Sequence, residues 1–272
     1  MAKTIFITGA SSGIGKATAL YFASKGWNVI ATMRNAGNTT DFSSFQNINV
    51  LPLDVTDVAQ INQTVQQVIQ LNQIDVVFNN AGYGLAGPME GTSDAQLTNI
   101  INTNLLGVLR VTKAFIPYFR ENGKGLFITT TSIGGLVTFP FFSVYHATKW
   151  ALEGWSESMA FELKRFGIGI KTVSPGSTKT DFASRSIDSA IHPAYDTLVK
   201  HYFDAFLSPE VMNNLSTPEQ IAEVVYEAAT DNKEQLRYVA GADALELYRL
   251  RKEKGDETFR KEIDDKYFAD YK

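Results

Sequence analysis

Tyr145 and Lys149 are the residues whose types and spacing indicate chemistry most directly, and Ser132 lies thirteen positions upstream of the tyrosine. If the stretch from Ser143 to Trp150 begins a helix, the phenol and the ammonium lie one turn apart on the same face. At roughly 5 Å and an effective dielectric constant of about 20, the ammonium favours the phenolate by ~3 kcal/mol, about two pKa units. We therefore expect the pKa of Tyr145 to lie near ~8, so that it exchanges protons with an alcohol.

The spacing Tyr-x-x-x-Lys occurs three times in the chain, so it does not identify a site by itself. The other two copies are Tyr21–Lys25 and Tyr248–Lys252. Thirteen residues upstream of their tyrosines stand Thr8 and Gln235, where Tyr145 has a serine. This difference predicts that only the copy at Tyr145 is a site.

The composition excludes several classes of function. Of the 272 residues 44% are hydrophobic and 20% charged, and the formal net charge of −4 argues against nucleic acid or an acidic membrane as partner. The absence of cysteine excludes disulfides, thiolate metal sites and cysteine nucleophiles. A predicted strand at Thr4–Thr8 leaves no room for a signal peptide, and no apolar run reaches membrane-spanning length. We expect a cytoplasmic protein.

A glycine-rich turn follows this first predicted strand and precedes a helical pattern. Gly9, Gly13 and Gly15 would allow the backbone to turn tightly and to lie against a diphosphate. The next helix would add free N–H groups and the positive end of its dipole. An ordinary glycine loop without a ligand remains the alternative.

The second predicted strand, Asn28–Met33, ends at Arg34. In dinucleotide-binding folds an acid at this position binds the ribose hydroxyls of NAD, whereas a cation accepts the 2′-phosphate of NADP. Because no carboxylate is present here and a guanidinium suits a phosphate, the sequence favours NADP(H). A solvated surface arginine is the alternative.

The third predicted strand, Asn49–Leu53, ends at Asp54. This carboxylate could accept the adenine amino group or could cap the end of the strand, and the sequence does not separate the two interpretations. Thr56 or Asp57 could cap the following helix, Val58–Leu71.

Small and polar residues at 79–84 follow the fourth predicted strand, Ile74–Phe78, and would permit a close approach of the backbone to a ligand. A long helical pattern then runs over Asp94–Phe119. Asn104 lies within its apolar side, where its amide must be satisfied by the backbone or by a polar site. The spacing alone favours a local bond, to backbone near Asn104 in the chain.

The fifth predicted strand, Leu126–Thr131, brings Ser132 to its carboxyl end. The helix carrying the tyrosine is predicted over Tyr145–Phe166, and the sixth strand over Ile168–Val173 with Pro175-Gly176 after it.

Residues 181–216 are aromatic without clear periodicity and are predicted to form a lid over the ligand. A helix from Thr217, a last strand at Arg237–Ala240 and a charged helical tail at 244–271 follow, the tail being expected to face solvent or another subunit. Seven strands that alternate with helices predict one α/β domain over residues 1–272. Its doubly wound parallel sheet would carry helices on both faces.

Several motifs stand in one order with consistent spacing, and together they resemble the short-chain dehydrogenase/reductase family, which has a Rossmann-like fold. The resemblance covers about residues 3–243 and rests on Thr8-Gly-Ala-Ser-Ser-Gly-Ile-Gly15, Asn79-Asn-Ala-Gly82, Asn104, Ser132, Tyr145-x-x-x-Lys149 and Pro175-Gly176.

The resemblance implies a role for each residue of the catalytic set. Tyr145 would be the general acid in carbonyl reduction and the base in the reverse direction, and Lys149 would lower its pKa and hold the nicotinamide ribose. Ser132 would orient the carbonyl oxygen. Asn104 would join a proton relay toward Lys149, which reverses the interpretation from spacing. No metal is implied. The residues expected to bind NADP(H) are Gly9, Ser11, Ser12, Gly13, Ile14, Gly15, Arg34, Asp54, Val55, Asn80, Ala81, Gly82, Tyr145, Lys149, Pro175, Gly176, Thr178 and Thr180.

Two departures from the family pattern are visible. Some NADPH-using members carry a second cation before the second glycine of the turn, but here that residue is Ser12, and Lys16 lies beyond the turn. Arg34 therefore carries most of the argument for a 2′-phosphate. His146 lies between Tyr145 and Lys149 and is interpreted as a packing or surface residue.

The expected function is NADP(H)-dependent interconversion of a carbonyl and an alcohol on a small-to-medium, apolar substrate, with steroid-, retinoid- and lipid-like compounds as candidates. A homodimer or homotetramer is expected through Asp94–Phe119 and Tyr145–Phe166. One alternative is a redox sensor or scaffold that binds the cofactor without turnover. A related epimerase or dehydratase is weaker, because its glycines are spaced Gly-x-x-Gly-x-x-Gly.

Overall fold

The structure is a computed structural model that describes residues 2–38, 42–179, 187–213 and 215–271. Its strands are β1 (Thr4–Thr8), β2 (Asn28–Met33), β3 (Ile48–Pro52), β4 (Val76–Asn79), β5 (Gly84–Ala86), β6 (Gly125–Thr130), β7 (Ile168–Pro175), β8 (Ile187–Ser189) and β9 (Arg237–Ala240). Its α-helices are α1 (Gly13–Ser24), α2 (Val58–Leu71), α3 (Asp94–Ile100), α4 (Gly107–Asn122), α5 (Ser143–Leu163), α6 (Asp196–Phe206), α7 (Pro209–Asn213), α8 (Pro218–Thr230), α9 (Ala242–Lys254) and α10 (Asp256–Phe268).

Seven parallel strands form the main sheet in the order β3-β2-β1-β4-β6-β7-β9. The strand order reverses between β1 and β4, and the carboxyl ends of all seven strands lie at one edge. In open α/β sheets this reversal opens a crevice for ligands at that edge. The predicted doubly wound α/β fold is confirmed.

Both faces of the sheet are covered because successive strand residues point to opposite sides. Ile5 and Ile7 belong to one core with Phe22 of α1 and Val225 of α8. Phe6 belongs to the other core, which contains residues of α2, α4 and α5.

Local signals explain several helix boundaries. Asp57 accepts a hydrogen bond from the backbone N–H of Gln60 at 3.0 Å, so it caps α2, as one of the two predicted caps. Thr217 and Gln220 form a capping box at the start of α8, with Pro218 in the first turn. The chain leaves α4 at Gly123, whose φ of +66° is the left-handed conformation that glycine favours.

The predicted continuous helix Asp94–Phe119 is wrong in its middle. A π-helical segment, Ile101–Leu106, separates α3 from α4, and α4 continues to Asn122. Within it the N–H of Gly107 bonds to the carbonyl of Asn102, five residues earlier, so one extra residue is wound into the helix.

Three smaller expectations also differ from the structure. The fourth strand covers 76–79 instead of 74–78, and a short parallel pair, β5 with β8, was not predicted. The segment 181–216 contains regular helices, α6 and α7, and its residues 181–186 lie outside the described ranges. The tail at 244–271 forms two helices that bury Phe259 and Tyr267, so it packs onto the protein and is not simply solvated. In the part of the chain that the structure describes, no helix is long and apolar enough to cross a membrane.

Candidate active site

Three elements bring the predicted catalytic residues together beyond the carboxyl edge of the sheet. Ser132 lies two residues after the end of β6, Tyr145 and Lys149 lie one turn apart on α5, and Asn104 comes from the π segment. The Tyr145 phenol forms a hydrogen bond with the Ser132 side chain, and the Lys149 Nζ lies 5.7 Å from the centre of the tyrosine ring. The two copies of the spacing at Tyr21–Lys25 and Tyr248–Lys252 lie elsewhere, on α1 and α9.

The expected pKa of ~8 for Tyr145 is wrong in this structure. Burial is the largest influence and raises the pKa of Tyr145 above its usual value, while the hydrogen bond from Ser132 opposes the rise. Phe142 lies 6.4 Å from the tyrosine ring and contributes to the apolar surroundings. The phenol is therefore protonated at neutral pH.

Lys149 is 6% exposed, and burial lowers the pKa of its ammonium to about 8, while the charge of Glu153 opposes this shift. Its Nζ donates a hydrogen bond to the carbonyl oxygen of Thr130 at 2.9 Å. This bond ties the lysine to the end of β6, directly before the residues that lead to Ser132.

Asn104 is 1% exposed and is bonded at both ends of its amide. Its Oδ1 accepts from the N–H of Tyr83 at 2.9 Å, and its Nδ2 donates to the carbonyl of Tyr83 at 2.7 Å. The local backbone bond that the spacing favoured is wrong, because Tyr83 lies 21 residues earlier in the chain. A Cβ added to Gly82 would lie 3.1 Å from Asn104 Oδ1 and 3.9 Å from Lys149 Nζ, so Asn104 also borders the site.

The glycine turn is tight and packs closely on neighbouring backbone. Gly9 and Gly13 have φ values of +69° and +52°. A Cβ on Gly9 would lie 2.8 Å from the Cα of Ala81, and one on Gly15 would lie 2.2 Å from the Gly9 carbonyl. Ser12 precedes α1 without a side-chain cap, and the first turn of α1 has no acid. The backbone N–H groups at this helix start thus fit an anionic group.

Asn80 locks this turn to the end of β4. Its Nδ2 donates to the carbonyls of Thr8 and Gly9 at 3.2 and 3.1 Å, and Thr8 Oγ1 accepts from the N–H groups of Asn80 and Ala81 at 3.0 and 3.1 Å. Among the other residues predicted for the cofactor, Ser11 is exposed at the turn and Ile14 packs on the core beneath it.

Arg34 is exposed at the end of β2, and its charge acts on Asp54. Burial opposes ionisation of Asp54, but hydrogen bonds from Thr56 and the charge of Arg34 hold the pKa of this carboxyl below its usual value. Asp54 Oδ1 accepts from Thr56 N at 2.8 Å and from Thr56 Oγ1 at 2.7 Å. This carboxylate thus closes its own turn, and Val55 beside it is buried against Gly107.

The turn after β7 is held by an acid that sequence reasoning missed. Asp243 Oδ2 accepts from the N–H of Ser177 at 2.8 Å, and a Cβ on Gly176 would lie 2.2 Å from Asp243 Oδ1. Thr178 Oγ1 donates to the Gly176 carbonyl at 3.1 Å, while Pro175 is the last residue of β7. Thr180, also predicted to bind the cofactor, lies outside the described residues.

Aromatic side chains surround the tyrosine from the lid side. Phe142, next to the site, lies 5.9 Å from Phe203 and 5.8 Å from Phe206, both on α6. Tyr202 of α6 packs 4.9 Å from Tyr267 of α10. This part of the predicted lid is therefore apolar and is braced by the C-terminal helices.

Of the two interpretations of His146 from the sequence, a packing residue or a surface residue, the structure confirms the first. It is 5% exposed and lies against Phe139 and Phe142. Burial lowers the pKa of its imidazole to about 4. It is therefore neutral at physiological pH and has no catalytic charge to offer.

Comparisons with known proteins agree with this geometry. Residues 3–190 match the family described as "short chain dehydrogenase". An uncharacterised oxidoreductase of Schizosaccharomyces pombe is 37% identical over 228 residues, 84% of this chain and 96% of the relative. Retinol dehydrogenase 8 of Bos taurus is 34% identical over 251 residues, 86% of this chain and 80% of the relative. A short-chain dehydrogenase structure from Streptomyces avermitilis superposes with a TM-score of 0.85 at 31% identity, covering 97% of this chain and 95% of the other.

Proposed function

The chain belongs to the short-chain dehydrogenase family of oxidoreductases, and from that premise we propose that it interconverts a carbonyl and an alcohol on an apolar substrate with NADP(H). The observation that carries the proposal is the hydrogen-bonded pair of Ser132 and Tyr145, with Lys149 one turn away, beside a turn that fits a diphosphate.

Tyr145 is proposed as the proton donor in the direction of reduction. Because the pKa of Tyr145 is raised, the phenol is protonated at neutral pH and carries a proton for the oxygen that becomes an alcohol. Ser132 donates to the same oxygen and orients it toward the phenol. A bound nicotinamide would supply or accept the hydride.

Lys149 is proposed to hold the ribose hydroxyls of the cofactor and to stabilise the phenolate that remains after proton transfer. Its bond to Thr130 at 2.9 Å aims the ammonium at the end of β6. Asn104 is proposed to hold the loop at Gly82 and Tyr83 through its two bonds to Tyr83, so that this loop borders the cofactor.

The preference for NADP(H) is supported by Arg34 and by the state of Asp54. An exposed guanidinium stands at the end of β2 with Met33 before it, so no acid there repels a 2′-phosphate. Asp54 accepts two hydrogen bonds from Thr56 within its own turn, and the proposal assigns it no contact with the cofactor ribose. A charge-assisted pair is worth roughly 1.5–3 kcal/mol, which is about 10- to 150-fold in affinity.

An apolar substrate is supported by the aromatic residues of α6 beside Phe142 and by the similarity to a retinol dehydrogenase. Rings in these positions would bury a hydrophobic substrate and exclude water from the proton donor.

A panel of aldehydes and ketones tests the activity, each added with NADPH and with NADH while cofactor absorbance is followed. We expect NADPH oxidation with retinoid, steroid or long-chain carbonyls and weak activity with small polar ones. If the protein bound NADPH tightly, but no carbonyl oxidised NADPH and no alcohol reduced NADP, a cofactor-binding sensor would be supported instead.

The cofactor preference is tested by Arg34→Ala with Arg165→Ala, another exposed arginine on the turn after α5, as the matched control. Arg34→Ala should weaken NADPH binding about 10- to 150-fold and leave NADH binding nearly unchanged. The control should change neither dissociation constant. Equal losses for both cofactors would contradict the role of Arg34.

A further inference from the structure

Glu153 is a buried acid directly beneath the candidate site, and the proposed reaction has given it no role. It lies on α5, one turn after Lys149, and is 4% exposed. Positions four residues apart share a helix face, so its side chain continues the line formed by Tyr145 and Lys149. A buried carboxylate is costly unless it is paired and fully hydrogen-bonded.

The carboxylate of Glu153 is bonded through both oxygens. Oε1 accepts from Thr131 Oγ1 at 2.6 Å and from Ser174 Oγ at 3.0 Å. Oε2 accepts from Arg237 Nε at 2.8 Å and from Thr172 Oγ1 at 3.4 Å. One side chain on α5 therefore joins the residue that follows β6, the carboxyl half of β7 and the first residue of β9.

These bonds reach residues that flank the site. Thr131 directly precedes Ser132, and Ser174 precedes the Pro175-Gly176 turn. A Cβ on Gly135 would lie 2.9 Å from the Lys149 carbonyl and 3.2 Å from Glu153 Cγ, so the turn after Ser132 packs directly on this part of α5. Movement of Glu153 would move both turns.

Glu153 also acts on Lys149 through its charge. It is the group that opposes the lowering of the Lys149 pKa by burial. The other titratable or charged groups of the described residues that face this pair are Tyr145 on the same helix and Arg237 from β9, which also binds Glu157.

We propose that Glu153 is a positioning residue of the site, whose hydrogen bonds hold the turns at Ser132 and Pro175 and whose charge acts on Lys149 one helical turn away. This inference rests on the proposed function only where turnover is used to test it.

The charge is tested without any substrate, by NMR titration of the Lys149 side chain in protein labelled with ¹³C-lysine, with the signal assigned by its loss in Lys149→Met. In the wild type we expect a midpoint of about 8. Glu153→Gln should lower it by about one pH unit, because a unit charge a few ångströms away is removed. Glu157→Gln, one turn further along α5 and bonded to the same Arg237, is the matched control and should leave the midpoint unchanged. An unchanged midpoint in Glu153→Gln would overturn the electrostatic role.

Turnover provides the second readout. With a lower Lys149 midpoint, Glu153→Gln should match the wild type most closely near pH 6 and fall roughly fivefold behind it at pH 8. An equal loss at every pH would show that Glu153 supports structure alone. If the wild type turned over no carbonyl, the proposed function would fail, while the NMR midpoints would still decide the charge.

Glu153→Asp keeps the charge but withdraws it by one methylene, and it carries the test if Glu153→Gln does not fold. The shorter side chain cannot keep its bonds to Thr131 and Ser174 together. We expect a Lys149 midpoint close to that of the wild type and a kcat lowered about equally at all pH values. A normal kcat in Glu153→Asp would overturn the positioning role.

Discussion

Two pairs of lysine and tyrosine, each with a buried lysine, lie on opposite faces of the same sheet and differ in what surrounds them. Lys171 on β7 donates to Asp231 Oδ1 at 2.7 Å, to Tyr238 OH at 2.9 Å and to the Ala228 carbonyl at 2.8 Å. Lys149 donates to a neutral carbonyl, Thr130 O, at 2.9 Å, and its partner carboxylate Glu153 is bonded to other groups.

The same difference applies to the tyrosines. Tyr238 donates its hydroxyl to Asp231 Oδ2 at 2.7 Å; burial and this carboxylate raise the pKa of Tyr238 far above its usual value. Tyr145 pairs with a neutral serine. Burial raises the pKa of Tyr145, and the hydrogen bond from Ser132, which favours the phenolate, opposes this rise. A carboxylate in contact with both groups makes a structural pair, whereas neutral partners leave a tyrosine able to release its proton.

The sharpest separation of the two pairs is expected from removing the lysines. Lys171→Met removes the buried cation bonded to Asp231 and leaves the exposed Lys233 Nζ, 3.6 Å from Asp231 Oδ2, so it should lower the free energy of unfolding by ~3 kcal/mol. Lys149→Met removes an ammonium whose pKa burial has lowered to about 8. This variant should lose no stability, and its free energy of unfolding should increase by up to ~3 kcal/mol at pH 7. Denaturant unfolding of both variants measures this, and equal losses would break the comparison.

Removing the tyrosine hydroxyls should separate the pairs in activity. Tyr145→Phe deletes the proposed proton donor and should reduce kcat by at least ~10², with NADPH affinity nearly intact. Tyr238→Phe, the matched control, should change kcat less than about twofold and cost about 1–2 kcal/mol of stability, because a buried hydrogen bond is lost. Steady-state kinetics and cofactor titration test both, and near-normal turnover in Tyr145→Phe would refute its role.

The smallest expected effects are in the dependence of stability on pH. The folded-state pKa of Asp231 is depressed, since its bonds from Lys171, Lys233 and Tyr238 outweigh burial, so its contribution is present above about pH 4 and is lost below it. Asp231→Asn should reduce this acid-side loss by about 1–2 kcal/mol.

Lys149 should change the pH dependence of stability on the alkaline side. Its folded pKa of about 8 lies below the ordinary value of 10.5, so the unfolded chain binds more protons between these values and stability should rise there with pH. Comparing Lys149→Met with the wild type isolates this rise, and an identical pH dependence in the two proteins would contradict the lowered pKa.

The positions of the main strands could be predicted from the sequence, because each is a short apolar run next to a turn. Strands β5 and β8 could not, since they are three residues long and pair across about a hundred residues. The π segment was also hidden, because its extra residue shifts the helical periodicity. Ile101, the first residue of this segment, is 39% exposed, whereas Ile100 and Asn104 beside it are buried.

The residues proposed to be catalytic could be identified from spacing, because Tyr145 and Lys149 are local neighbours on one helix. The direction of the tyrosine pKa could not, since it depends on burial that the sequence near Tyr145 does not reveal. Asp243 and the partners of Glu153 were missed for a related reason. Their hydrogen-bond partners lie on strands and turns distant in sequence, although the position of Glu153, one turn after Lys149, was a signal that could have been followed.

The π segment at Ile101–Leu106 has a consequence for alignment and for grafting. Because it adds one residue to a helical path, α3 and α4 are out of phase by about 100° relative to a straight α-helix. A single-residue deletion there would straighten the helix and rotate one of its halves. Either Asn104 would turn away from Tyr83, or Phe115 would turn out of the core. A regular helix transplanted into this position therefore needs one additional residue, and a gap-free alignment to such a helix assigns one of its halves to the wrong face.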